Sequence, residues 1–244
     1  MMMTRTCSRG GRGKVEKESN NFVLSVKQWA GGVRVFLKSV IAPSYCVSCR
    51  IFLPTHFICK PCLGLIKPVA SISIQVTKKY KVPVHALSFY RDPLISLIWA
   101  KYYSHRLASV QLGRLMVERI PFAFMDFDYI VPVPLHWLGY ARRWYNQTEV
   151  MAKEISHATG KQVLPLVKRS LYKRSQVSAG RDDRVENIAG VFELTEGALA
   201  YKGKKFLIVD DVMTTGATMK EVLYVLSKIA PEALHAVVVC RSQL

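Results

Sequence analysis

The sequence predicts a mixed α/β protein: a largely parallel β-sheet flanked by helices, preceded by a small cysteine-rich module. Three observations predict it. From residue 84 onward, short apolar runs alternate with helical stretches, the pattern of strand–helix–strand units. The run Phe206-Leu207-Ile208-Val209 reads as a fully buried strand, and Asp210-Asp211 and a Gly-containing turn follow it. Four of the six cysteines fall into two Cys-x2-Cys pairs between residues 46 and 62.

Taken in order, residues 1–20 are basic and Gly-rich, with five basic and two acidic side chains, and read as a disordered tail carrying Cys7. Phe22, Val26, Trp29, Val33, Phe36, Leu37 and Val40 form a helical stripe broken by Gly31-Gly32, read as a docking face, with a membrane anchor as the alternative given its basic flank. Residues 43–70 hold the cysteine module, with Pro43, Pro54 and Pro61 in or beside it. A strand is expected at 84–90, helices at 93–103 and 107–119, and an apolar strand at 127–133. A helix over 146–159 should stop at Gly160, followed by a strand at 162–167. Residues 168–190 are polar, basic and too long for an ordinary connection, so they read as a functional loop. Strands at 191–194, 205–209 and 233–240, and a helix at 217–229, complete the pattern. Cys240 is expected to be a core residue. The implied division is 1–42 tail and amphipathic segment, 43–70 metal-binding module, and 71–244 α/β domain.

Charge narrows the partners. Among 244 residues, 35 Lys and Arg oppose 17 Asp and Glu, a net +18. Such an excess suits polyanions such as nucleic acid or phosphorylated metabolites, although solubility alone also accounts for it. Residues 161–184 carry seven basic side chains against two acidic ones. No apolar run reaches the length of a membrane-spanning helix and no secretory leader is visible, so the expected location is cytoplasmic.

Cys46, Cys49, Cys59 and Cys62 have the spacing of a tetrahedral four-thiolate zinc site; two disulfides or an iron–sulfur cluster are the alternatives. Four thiolates on Zn²⁺ leave a net charge of about −2, which Arg50 and Lys60 can offset. The nine intervening residues suit a hairpin with its tip near Pro54-Thr55-His56. A closed four-thiolate site has no open position, so the metal is structural.

The segment Asp210-Asp211-Val212-Met213-Thr214-Thr215-Gly216-Ala217-Thr218 carries the most chemistry. A turn of this kind offers backbone N–H groups, three hydroxyls and a helix amino terminus to one anion. Carboxylates just upstream are acceptor-only groups suited to sugar hydroxyls. A receiver-type acidic pair is the rival reading, but such a pair normally lies near the start of its domain.

This segment resembles the 5-phosphoribosyl-1-pyrophosphate (PRPP) motif of type I phosphoribosyltransferases. Val131-Pro132-Val133-Pro134-Leu135-His136, then Arg142-Arg143-Trp144-Tyr145-Asn146-Gln147, then Arg169, Gln176, Arg184, Asn187 and Phe192, resemble successive motifs of the ComF/GntX family. That family also carries a four-cysteine knuckle. Trp144 stands where the family usually has Gly. The resemblance implies a type I phosphoribosyltransferase fold behind a zinc ribbon. It implies that Asp210 and Asp211 face the ribose hydroxyls, that Thr214, Thr215, Gly216, Ala217 and Thr218 wrap the 5′-phosphate, and that Mg²⁺ accompanies PRPP.

Candidate pyrophosphate contacts are Arg142, Arg143, His136 and Lys101. Lys168, Arg169, Lys173, Arg174 and Arg184 are candidates for a closing loop or for DNA phosphates, against a plain solvated loop. Residues 71–125 are expected to form the acceptor-reading hood, and no catalytic group is assigned. The resemblance further implies a role in natural transformation, with single-stranded DNA and other DNA-uptake proteins as partners. Trp137, Tyr140, Trp144, Tyr145 and Tyr172 could stack on bases. The alternative is a phosphoribosyltransferase acting on an unidentified nucleophile, with no DNA role.

Overall fold

The computed structural model describes residues 44–53, 58–102, 106–135, 145–170 and 190–243. Its frame is a sheet in the order β3 (Ile72–Gln75), β4 (Lys81–Phe89), β10 (Ala233–Arg241), β9 (Lys205–Met213), β5 (Tyr129–Pro132) and β6 (Gln162–Val163). All neighbours run parallel except β3, which pairs antiparallel on one edge. Parallel strands need crossover elements, and these are the helices α2 (Leu94–Tyr102), α3 (Arg106–Arg119), α4 (Gln147–Thr159) and α5 (Ala217–Ser227).

Strand alternation sorts the core into two layers. Leu207, Val209, Val237, Val239 and Leu87 pack with Leu112 and Met116 of α3 and Met151 and Ile155 of α4. Phe206, Ile208, Ala236, Val238 and Val84 pack with Met219, Val222 and Leu226 of α5. A sheet covered on both faces explains why these strands read as continuous apolar runs rather than alternating ones. The helices α3 and α4 meet at Gly113, where a Cβ would come within 2.9 Å of Glu154 Cβ and 3.1 Å of Met151 Cα. Arg114 Nε donates to Glu154 Oε2 at 3.0 Å beside that contact.

The sequence places both ends of α4. Asn146 is its N-cap, with Oδ1 accepting from the Thr148 N–H at 3.2 Å. Gly160 ends it in the left-handed region at φ 72°.

Two expectations are corrected. Residues 81–89 form an interior strand of the main sheet, not part of a hood, because Val84 and Ala86 are buried in register with Ala236 and Val238. The expected strand at 162–167 is divided. Gln162–Val163 ends the main sheet, while β7 (Val167–Arg169) pairs antiparallel with β8 (Phe192–Leu194) in a separate ladder. Edge strand β3 is half-buried on alternate residues.

The cysteine module rests on the same core as α3 and α4: Cys46, Ile58, Cys59, Cys62 and Ile66 all belong to that cluster. The expected helical stripe at 22–41 and Cys7 lie outside the described residues.

Candidate functional site

Ligands of open parallel sheets gather at the carboxyl ends of the strands, and the acidic pair lies there. The pair is not beyond the strand end, as the sequence suggests. The ladder between β9 and β10 continues to Met213 opposite Arg241, so Asp210 and Asp211 are strand residues. Asp210 is 8% exposed, and its Oδ1 accepts the Asp211 N–H at 2.8 Å. Asp211 Oδ2 accepts from Gln147 Nε2 at 2.9 Å.

Gln147 is itself held by a short network. Thr148 Oγ1 donates to the Val133 carbonyl at 2.6 Å, and Asn146 Nδ2 donates to the same oxygen at 3.3 Å. Val133 follows β5, so the Pro132-Val133-Pro134 segment and the first turn of α4 are tied together beside Asp211.

The turn after β9 meets the second requirement. Gly216 has φ 77° and is the N-cap of α5. A Cβ there would make only ordinary contacts with Ile74 and Met213, so the left-handed backbone, rather than space, calls for glycine. The Ala217 N–H donates to Thr215 Oγ1 at 3.4 Å, and the Lys220 N–H donates to the Gly216 carbonyl at 2.8 Å. The N-cap Gly216 itself supplies no side-chain cap to α5. Thr214 and Thr215 are exposed, while Gly216, Ala217 and Thr218 are half-buried. Carboxylate acceptors and a helix start thus share one edge, an arrangement suited to a sugar with a phosphate.

In the cysteine module, β1 (Ser44–Tyr45) pairs with β2 (Phe52–Leu53), and the hairpin turn encloses Cys46 and Cys49. The first cysteine pair thus lies at the tip of a hairpin of its own, and the expected tip near Pro54-Thr55-His56 lies outside the described residues. The Cys46 N–H donates to Ile51 O at 2.8 Å, the Arg50 N–H donates to Cys46 O at 3.0 Å, and Arg50 takes φ 62°. Cys59 caps the short helix α1 (Lys60–Gly64), which carries Cys62. All four Sγ atoms lie within 4.8 Å of one another, and those of Cys49 and Cys59 are 3.5 Å apart.

The four cysteines are free thiols. Burial raises the Cys46 thiol, yet the N–H groups of Cys49, Cys59 and Ser48 outweigh it and bring the group down to about 6. Burial, then the Cys59 side chain, pushes Cys62 up to about 12. Four sulfurs this close cannot all carry charge without a cation among them, so the donor set fits a thiophilic metal.

The model of the family described as "Phosphoribosyl transferase domain" matches residues 130–243. The DNA utilization protein YhgH of Escherichia coli is 30% identical over 161 residues, covering 63% of this chain and 69% of that protein. The chain belongs to the ComF-like family. Competence protein F of Haemophilus influenzae is 30% identical over 109 residues, 44% of this chain and 48% of that protein, so the match spans about half of that relative. YhgH of Salmonella typhimurium is 26% identical over 228 residues, covering 82% of this chain and 98% of the relative. With the sheet order above, the ComF-like domain is a type I phosphoribosyltransferase fold.

The other expected site residues distribute unevenly on this ComF-like frame. Lys101 lies in α2. Lys168 and Arg169 sit in β7 rather than in a loop. The Lys168 ammonium is 3.5 Å from Glu193, and the Arg169 guanidinium lies 5.5 Å from the Phe192 ring centre. His136, Arg142, Arg143, Lys173, Arg174 and Arg184 lie outside the described residues, as do Trp137, Tyr140, Trp144 and Tyr172. Gln147 belonged to a recognised motif, but its contact with Asp211 carried no local signal. No helix of the described residues is long and apolar enough to cross a membrane.

Proposed function

We propose that this chain binds PRPP at the Asp210–Thr218 segment and handles single-stranded DNA during DNA uptake in the cytoplasm. The observation that carries the first half is the acidic pair beside the start of α5, with Asp211 oriented by Gln147. In this reading the carboxylates of Asp210 and Asp211 accept the ribose hydroxyls, while the turn donates N–H and hydroxyl groups to the 5′-phosphate. Asp211 is the carboxylate on that edge that would hold Mg²⁺ brought with PRPP, and the ion would supply charge neutralisation to the pyrophosphate leaving group. Zinc in the four-cysteine cluster is structural. The second half is supported by the names of the relatives, a competence protein and a DNA utilization protein, and by the net charge of +18.

The test measures each ligand in competition with the other. PRPP with Mg²⁺ is expected to raise the melting temperature of wild type, since a ligand of the native state stabilises it by mass action. Asp211→Asn is expected to remove that shift; it is the cleaner variant because Asp210 is buried. Single-stranded DNA should bind with little sequence preference and a log–log salt slope of about −0.7 per phosphate contact. Undetectable DNA binding at low salt, in folded and metal-loaded protein, overturns the DNA reading and leaves an enzyme that transfers phosphoribosyl to a nucleophile. A screen for pyrophosphate release then addresses turnover.

A further inference from the structure

Arg241 ends β10 at the carboxyl edge of the sheet. Its ladder partners are Met213 and Phe89, the last residues of β9 and β4. The Ser242 N–H donates to Met213 O at 2.9 Å, so the chain leaving β10 is fixed against the strand from which the Thr214–Thr218 turn departs. Neighbouring strands are about 4.8 Å apart, which sets Arg241 one strand spacing from that turn's root.

The surroundings of this arginine are unusual. It is only 9% exposed. Its guanidinium carbon lies 4.7 Å from the Phe89 ring centre, and that of exposed Arg91 lies 5.9 Å from the same ring. Nη1 donates to Ser242 O at 3.3 Å, while Nε has no hydrogen-bond partner. Among the described residues no carboxylate forms an ion pair with either arginine. A purely structural buried arginine spends its N–H groups on carbonyls or a carboxylate, because an unsatisfied charged donor is costly. Contact with a ring face offsets only part of that cost. The missing element is an anion.

We propose that Arg241 and Arg91, gathered on Phe89, form an anion-binding subsite for a phosphate group of a ligand lying across the carboxyl edge beside the Thr214–Thr218 turn. The planar guanidinium fork matches two phosphate oxygens at once, and Arg91 adds a second charge at the rim. The phosphate is either the monoester of a nucleotide or strand end, or a diester of a strand backbone; the chemistry is the same. The subsite is separate from the 5′-phosphate turn and does not depend on PRPP being the ligand there.

The experiment follows the Arg241 Nε–Hε resonance in full-length protein labelled with ¹⁵N-arginine, assigned with Arg241→Lys. Titration with inorganic phosphate is expected to move that resonance saturably, with chloride at matched ionic strength leaving it in place. Reading the signal of the residue itself separates this subsite from phosphate bound at the turn. Arg91→Ala, an exposed substitution, is expected to weaken the titration about tenfold. Deoxythymidine monophosphate and oligothymidylates with a 5′-phosphate or a 5′-hydroxyl then identify the source. Movement by the 5′-hydroxyl strand assigns the diester, and movement by only the other two assigns the monoester. A resonance that stays in place, or that chloride moves equally, overturns the subsite. Unchanged affinity in Arg91→Ala overturns the two-arginine arrangement.

Discussion

The side-chain amide of Gln147 donates to the Asp211 carboxylate at 2.9 Å, joining the first turn of α4 to the acidic pair of β9. Gln147 is 3% exposed, so its amide is shielded from water, while Asp211 is half-buried.

Gln147→Leu is expected to weaken PRPP binding about tenfold or more, because a hydrogen bond to a charged group contributes about 1.5–3 kcal/mol. Gln147→Glu should do at least as much harm, since it sets a second carboxylate against Asp211. Isothermal titration with PRPP and Mg²⁺ measures both. Wild-type affinity in the two variants would dissociate Gln147 from the site.

Metal removal is expected to destabilise the whole described domain. The ligands Cys46, Cys59 and Cys62 are buried in the cluster that also holds Leu112, Met151 and Val209. Purified protein should contain about one zinc per chain. Chelation or Cys59→Ser should lower the melting temperature of the single main transition. A chelated protein that melts at the wild-type temperature contradicts this.

Gly113→Val is expected to cost about 1–3 kcal/mol by overpacking the α3–α4 contact. The Cβ would sit 2.9 Å from Glu154 Cβ and 3.1 Å from the Met151 backbone, and backbone cannot rotate aside. Denaturant unfolding reads the loss, and an unchanged midpoint would mean that the helices separate freely.

Two histidines give stability a pH dependence. Burial lowers the pKa of His85. Burial, then the charge of His85, lowers that of His235, with Asp126 opposing. The unfolded chain therefore binds more protons than the folded one below the ordinary histidine value of about 6.5. Stability from this pair is fully present above that value and declines as pH falls through the window beneath it. Thermal melts between about pH 7.5 and 5.5 should show the decline, and His85→Gln/His235→Gln should flatten it. A double variant with the wild-type pH slope would assign the dependence elsewhere.

What the sequence disclosed and what it hid have physical causes. The run Phe206–Val209 is apolar throughout because both its faces are covered, so it was legible as a buried strand. Asn146 and Gly160 announced the ends of α4 through capping chemistry that is local. The cysteine spacing likewise disclosed a cluster. The burial of Asp210 was hidden, because it depends on β10 remaining paired past that point. The contact from Gln147 to Asp211 joins residues far apart in the chain, and no local pattern encodes it. The ring shared by Arg91 and Arg241 is equally non-local. Edge strand Ile72–Gln75 escaped notice because only alternate residues are half-buried and it is four residues long.

Strand β10 is the last of the described elements, yet it lies between β4 and β9 in the interior of the sheet. Val84 of β4 must wait for Ala236, which is made far later in synthesis. On the ribosome, the other described strands of this sheet emerge before the one that joins its two halves. Until then β4 and β9 expose unpaired backbone edges and the acidic pair has no fixed position. The carboxyl edge that carries the acidic pair is consequently completed by docking of β10 and not by the order in which β4, β5 and β9 are made.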